Sequence, residues 1–334
     1  MTFARRLKEF GVDPFLVGLI VAVALGLALP ARGAFAPIRG HATFLAVSLL
    51  FFLYGARLAP KTLLEGLTHW RLQALVFVLT FVILPALGLL ASRAGAGALP
   101  PDLAQGVLYM TLMPSTVQAS IAFTSIARGN VPAALCSASA SNIFGVVLSP
   151  ALVALLMATQ GGGVSLAAIG DVALKLVLPF AIGQCARPLI GATLHRRKTI
   201  VSFVDRGSIL LIVYVAFSEG TAAGAWTHLT WSALALVAGL DLAVLAAALV
   251  ISTFLSRRLG FSKKDEIAIV FCGSKKSMAN GVPMASILFP GRPLGLFVLP
   301  LMLFHQIQLF ACALLAQRYA ARAPDAEAHA GARR

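Results

Sequence analysis

Ten apolar segments, at roughly 14–31, 41–57, 71–92, 102–128, 131–158, 165–186, 208–224, 232–256, 265–289 and 293–317, follow one another with short connections between them. A helix needs about 20 such residues to cross a hydrocarbon core. In lipid every backbone polar group must be bonded internally, so each segment is read as a helix. The chain is therefore expected to be an all-α membrane protein of ten transmembrane helices. Hydrophobic residues make up 59% of its 334 and charged ones 12%, which excludes an ordinary soluble domain. The formal charge of +15 does not indicate a nucleic-acid partner, because the basic residues lie between apolar runs and form no stripe with interleaved aromatics.

Those basic residues set an orientation instead. With the N-terminus inside, 20 of the 27 Lys and Arg fall in inner connections or tails and only Arg32, Arg39, Arg93 and Arg292 in outer ones. Positive charge favours the cytoplasmic side. Both termini are thus expected in the cytoplasm of a bacterial-type inner or plasma membrane. Cys136, Cys185, Cys272 and Cys312 all fall within spans and are read as buried free thiols, with no disulfide and no metal site.

The ninth segment breaks the apolar rule. Residues 269–285 read I-V-F-C-G-S-K-K-S-M-A-N-G-V-P-M-A, placing Lys275 and Lys276 about 15 Å from the inner end of their helix. A lysine at mid-membrane costs about 2.5–3.5 kcal/mol, so such a pair marks a functional site. The fourth segment has a matching design: an apolar half, then Pro114-Ser115, then a polar half ending at Gly129. In the ninth, Gly273-Ser274 leads to Gly291 over 18 residues, against 15 in the fourth. Five spans per half is odd, so the halves, residues 1–158 and 159–317, would enter the membrane from opposite sides, with a mobile tail at 318–334. Interrupted helices at corresponding places in inverted halves point to a transport site. Pro114 and Gly273 could alternatively be mere kinks in packed helices.

Around the first break, Ser115, Thr116, Gln118 and Ser120 supply hydroxyl and amide oxygens, and Asn142 of the fifth segment adds another. Ser137 and Ser139 are read as small packing residues. The second break offers Ser274, Lys275, Lys276, Ser277 and Asn280. Adjacent helix positions diverge by about 100°, so one lysine is expected to face the site. Asp241 in the eighth segment reaches a similar depth and is a candidate ion-pair partner. His305 and Gln306 follow in the tenth segment. No paired carboxylates, metal-ligand cluster or nucleophile with a base is visible, so the chain is not read as an enzyme and no cofactor is expected.

The A-R-G-N-V after the fourth segment, the Ser/Asn-rich fifth with L-S-P, and G-S-K-K-S-M-A-N-G-V-P in the ninth together resemble the bile acid:sodium symporter superfamily, in a subgroup like solute carrier family 10 member 7. The likeness covers essentially all ten spans. It implies a panel domain (spans 1, 2, 6 and 7) beside a core domain (3–5 and 8–10), with broken helices 4 and 9 crossing in the core. It also implies sodium-coupled transport of an organic anion held beside the crossing. Matched residue by residue, Ser120 falls at the family's fourth-span serine, but Ile121 stands where sodium-binding relatives carry asparagine. Ser274 falls at the family's sodium-binding glutamate, Met278 at its glutamine, and Asn280 at a small polar position. His305-Gln306 resembles a His-Asn pair near substrate. Losing a glutamate and gaining two lysines argues against sodium here and for a fixed or protonatable cation instead. The alternative function is a regulatory membrane protein that affects ion entry without carrying a solute.

Overall fold

A computed structural model gives the architecture and describes residues 14–31, 36–57, 69–158, 166–224, 226, 229–290 and 292–321. These are helices and their connections. In chain order they are α1 (Pro14–Ala28), α2 (Ala36–Arg57), α3 (Trp70–Gly95), α4 (Pro101–Thr111), α5 (Val117–Ile126), α6 (Val131–Ala158) and α7 (Leu166–Arg196). There follow α8 (Lys198–Ala222), α9 (Trp231–Arg258), α10 (Lys263–Gly273), α11 (Met278–Leu288) and α12 (Leu294–Ala321). Within α3, Leu79–Ile83 form a π-helical turn.

Among the described residues, six helices are long and apolar enough to cross a membrane: Trp70–Gly95, Val131–Met157, Leu176–Leu194, Lys198–Ala222, Trp231–Arg258 and Leu294–Ala321. The other expected spans have shorter apolar stretches, Val17–Ala28 in α1 and His41–Arg57 in α2, or are divided into α4–α5 and α10–α11. The helix of the tenth segment runs on to Ala321, past the expected start of a tail at Arg318; residues 322–334 lie outside the described residues.

The chain forms two compact units, each drawing on both halves of the sequence. The first gathers α1, α2, α7, α8 and residues 281–299. Its helices approach so closely that side chains are excluded at the contacts. A Cβ on Gly55 would lie 2.0 Å from the Phe180 carbonyl oxygen, and one on Gly183 would lie 2.0 Å from that of Phe52. Small residues that admit a neighbouring backbone are the usual means of packing membrane helices. Of the four cysteines, all free, Cys185 on α7 is exposed, unlike the three that are buried as expected. Its position on the helix, rather than its residue type, decides this.

The second unit holds α3 to α6, α9, α10, the start of α11 and α12 from Pro300. The A-R-G-N stretch fixes one end of it. Arg128 takes a left-handed φ of 57°, and Gly129 N–H donates back to the Thr124 carbonyl at 2.8 Å. Asn130 then accepts from the Ala133 N–H at 3.0 Å, capping α6, and donates to Asp265 at 2.7 Å. A Cβ at Gly129 would meet Ile267 at 2.5 Å, so the motif seats this turn against the start of α10. There Ser262 caps α10 by accepting from Asp265 N–H at 3.2 Å, and Glu266 receives Arg257, Lys263 and the Tyr319 hydroxyl.

Candidate functional site

Both expected breaks are present. Helix α4 stops at Thr111 because Pro114 has no N–H to continue it and disfavours a helical residue before it. Helix α10 stops at Gly273, and α11 restarts after Ser277, whose hydroxyl accepts from Asn280 N–H at 3.3 Å. Each break frees backbone groups that need partners away from water. The two breaks supply them for each other. Ser277 N–H donates to the Pro114 carbonyl at 2.8 Å, and the Thr116 hydroxyl to that of Lys276 at 2.9 Å. The Ser115 and Ser120 hydroxyls donate to the terminal carbonyls of α10, at Cys272 (2.7 Å) and Phe271 (2.9 Å).

Helix α6 closes one side. Ser141 accepts from Ser115 N–H at 3.0 Å, and the Asn142 amide donates to the carbonyls of Ser115 (2.9 Å) and Ala138 (2.8 Å). Asn142 Oδ1 in turn accepts from the Asn280 amide. Gly145 leaves the room for this, since a Cβ there would lie 2.6 Å from the Pro114 ring. Helix α12 closes another side through Gln308. Its amide brackets the unwound residue Lys276, accepting from its N–H and donating to its C=O, both at 2.9 Å. The same amide lies 2.9 Å from His305 Nδ1.

The two lysines diverge, but neither leaves the interior; both are wholly buried. The Lys276 Nζ donates to the carbonyls of Thr80 and Met113, each at 2.7 Å. Thr80 belongs to the π turn of α3 and Met113 to the first break. Lys275 Nζ points the other way, donating to the Ala119 carbonyl at 3.0 Å and lying 4.2 and 4.9 Å from the ring centres of Phe123 and Phe271. These are cation–π distances.

Of the residues singled out by sequence, Ser115, Thr116, Ser120, Asn142, Lys275, Lys276, Ser277 and Asn280 are thus brought together, with His305 joined through Gln308. Ser274 is buried, but its hydroxyl bonds its own helix at the Val270 carbonyl, 2.6 Å away. Gln118 is exposed on α5, and Gln306 is half-buried and makes none of the bonds above. Asp241 pairs with neither lysine: it is buried, and neither carboxyl oxygen has a hydrogen-bond partner among the described residues. Similar depth in two helices does not bring their side chains to the same face. The two lysines diverge, as adjacent positions were expected to, and both stay buried because the unwound stretch lets them find separate buried carbonyls. Gln308 went unread although it lies three residues from His305, on the same face of a helix.

Similarity to known proteins extends over nearly the whole chain. The sequence profile of the SBF-like CPA transporter family matches residues 13–321. An uncharacterized protein of Pseudomonas aeruginosa is 52% identical over 321 residues, 96% of each chain. The Escherichia coli protein named "Putative symporter YfeH" is 49% identical over 308 residues, 92% of this chain and 93% of the relative. The mouse protein named sodium/bile acid cotransporter 7 is 27% identical over 318 residues, 93% of each.

Proposed function

The chain belongs to the SBF-like CPA transporter family, and from that premise and the site's geometry we propose that it is a secondary transporter of a small organic anion, working by alternating access. It is an integral membrane protein, and the reading places both termini in the cytoplasm and the two breaks near mid-membrane, where each side of the membrane is reached in turn. The observation that carries the proposal is the Lys276 Nζ, held by one carbonyl freed at the first break and another from the π turn. Freed carbonyls at a helix break are suited to a metal cation. Here a tethered ammonium takes that place, so the site keeps its positive charge without drawing sodium from solution. No carboxylate bonds either lysine among the described residues, and because both are wholly buried in this conformation, an anionic solute would reach them only through the rearrangement that alternating access requires. The names of relatives, putative symporter and sodium/bile acid cotransporter, support solute transport, and the second supports an organic anion of the bile-acid kind.

Proteoliposomes test this directly. Purified protein is expected to take up radiolabelled taurocholate or a short dicarboxylate above the level of protein-free vesicles, with no stimulation by an inward sodium gradient. Uptake driven by sodium alone would remove the lysine-for-sodium reading. A protein that neither binds nor moves any such anion would favour the regulatory alternative.

A further inference from the structure

Asp241 belongs to none of the networks above. It is the eleventh of the 28 residues of α9, about 15 Å along the helix from Trp231. Its side chain is wholly buried, and Oδ1 and Oδ2 are both without a partner among the described residues. Protein, not lipid, covers it, because Val237, Val244, Leu245 and Ala248 on the same face are buried as well. Helix α9 packs against α3, α4 and α10. The Thr80 hydroxyl, in the π turn beside α9, is likewise buried without a partner.

The charged groups on these elements lie toward helix ends: Arg71 and Arg93 on α3, Asp102 on α4, and Lys263, Lys264, Asp265 and Glu266 on α10, with Arg257 and Arg258 on α9 itself. At mid-height stand Tyr109 of α4, Cys272 of α10 and the Lys276 ammonium, which is committed to the Thr80 and Met113 carbonyls. None of them forms an ion pair or hydrogen bond with Asp241. The contrast with Glu266 is direct, since that buried carboxylate accepts four hydrogen bonds from three side chains. An ionised carboxylate placed as Asp241 is would lose its hydration and gain nothing in exchange.

We propose that Asp241 is a proton-binding site, a neutral carboxylic acid in this conformation, and the group that carries the coupling proton. A rearrangement that opens it to water releases the proton as hydronium and leaves a hydrated carboxylate; closing requires a proton to return. The coupling role rests on the transporter reading, whereas the bound proton does not.

Infrared spectroscopy of purified protein in lipid tests the proton site without any solute. Wild type at neutral pH is expected to show the carbonyl-stretch band of a protonated carboxylic acid, unaffected when potassium chloride is replaced by sodium chloride. The near-isosteric Asp241→Asn should lack that band, and Asp241→Glu should shift it, which guards against a variant that misfolds. Identical spectra for wild type and variants, or a band that sodium removes, would overturn the proposal. In vesicles given labelled taurocholate, stimulation of uptake by an inward proton gradient should disappear in Asp241→Asn; stimulation that survives would overturn the coupling role. If wild-type vesicles take up neither taurocholate nor a dicarboxylate, the transporter reading falls, and the infrared band still decides the proton site.

Discussion

Lys276 and Lys275 are neighbours in sequence with different surroundings, and the difference can be measured. Lys276→Met would leave two buried carbonyls, of Thr80 and Met113, without their donor, whereas Lys275→Met strands only that of Ala119 and replaces two cation–π contacts with thioether packing. An orphaned buried acceptor costs about 1–3 kcal/mol. Lys276→Met should therefore unfold at lower temperature than Lys275→Met, by the equivalent of about one such acceptor. The reverse order in a thermal-unfolding series would mean that burying the ammonium costs more than its bonds return. Gln308 offers a second comparison: Gln308→Ala removes both bonds to the Lys276 backbone, while Gln308→Glu, a neutral acid at so buried a position, keeps an acceptor for its N–H and a single O–H donor to share between its carbonyl and His305. Stability should fall in the order wild type, Glu, Ala, with about 1–3 kcal/mol per group left unpartnered. The lysines were legible because charge inside an apolar run is conspicuous. Gln308 was not, because its task is to hold backbone, and backbone geometry at a break leaves no mark on composition. Gln118 stands apart from the bonded cluster for a related reason: an unwound stretch resets the helical phase, so spacing across it does not tell which face a residue occupies.

The breaks themselves were readable from Pro114 and from the Gly273-Ser274 step, but the π turn at Leu79–Ile83 was not. Its sequence, L-T-F-V-I, is ordinary membrane helix; what distinguishes it is a Thr80 carbonyl bonded to Lys276, a residue 196 positions away. Packing of α6 against the first break depends on Gly145, where a Cβ would sit 2.6 Å from Pro114 Cβ, an atom held in a ring on constrained backbone. Gly145→Ala should destabilise by about 1–3 kcal/mol through overpacking. Gly239, in the interior of α9, has nothing within 4 Å of a would-be Cβ, so Gly239→Ala should be neutral or stabilise by about 0.5–1 kcal/mol from helix propensity alone. Thermal unfolding of the pair checks whether the break is held by that contact: equal effects would show that α6 yields freely.

For the whole molecule, the number of crossings turns on whether α4 and α5 together count as one span. With 11 and 10 residues, neither helix alone reaches across a core of about 30 Å, since each is roughly 15–17 Å long. Joined end to end through Leu112–Thr116 they do; folded back at Pro114 they would form a re-entrant hairpin, and every later helix would face the opposite way. The distribution of basic residues favours the crossing, because it keeps Arg128 and the Arg257–Lys264 cluster on the same side as the N-terminal Arg5, Arg6 and Lys8. Ala98, before α4, and Ser125, near the end of α5, are both exposed and report the two ends. In a background with the exposed Cys185 replaced by serine, leaving only buried thiols, Ala98→Cys should react with a membrane-impermeant maleimide added to intact cells. Ser125→Cys should react only after the membrane is opened. Labelling of both from outside would make the break the tip of a re-entrant hairpin, still about 15 Å deep, and would reverse the orientation of every later helix.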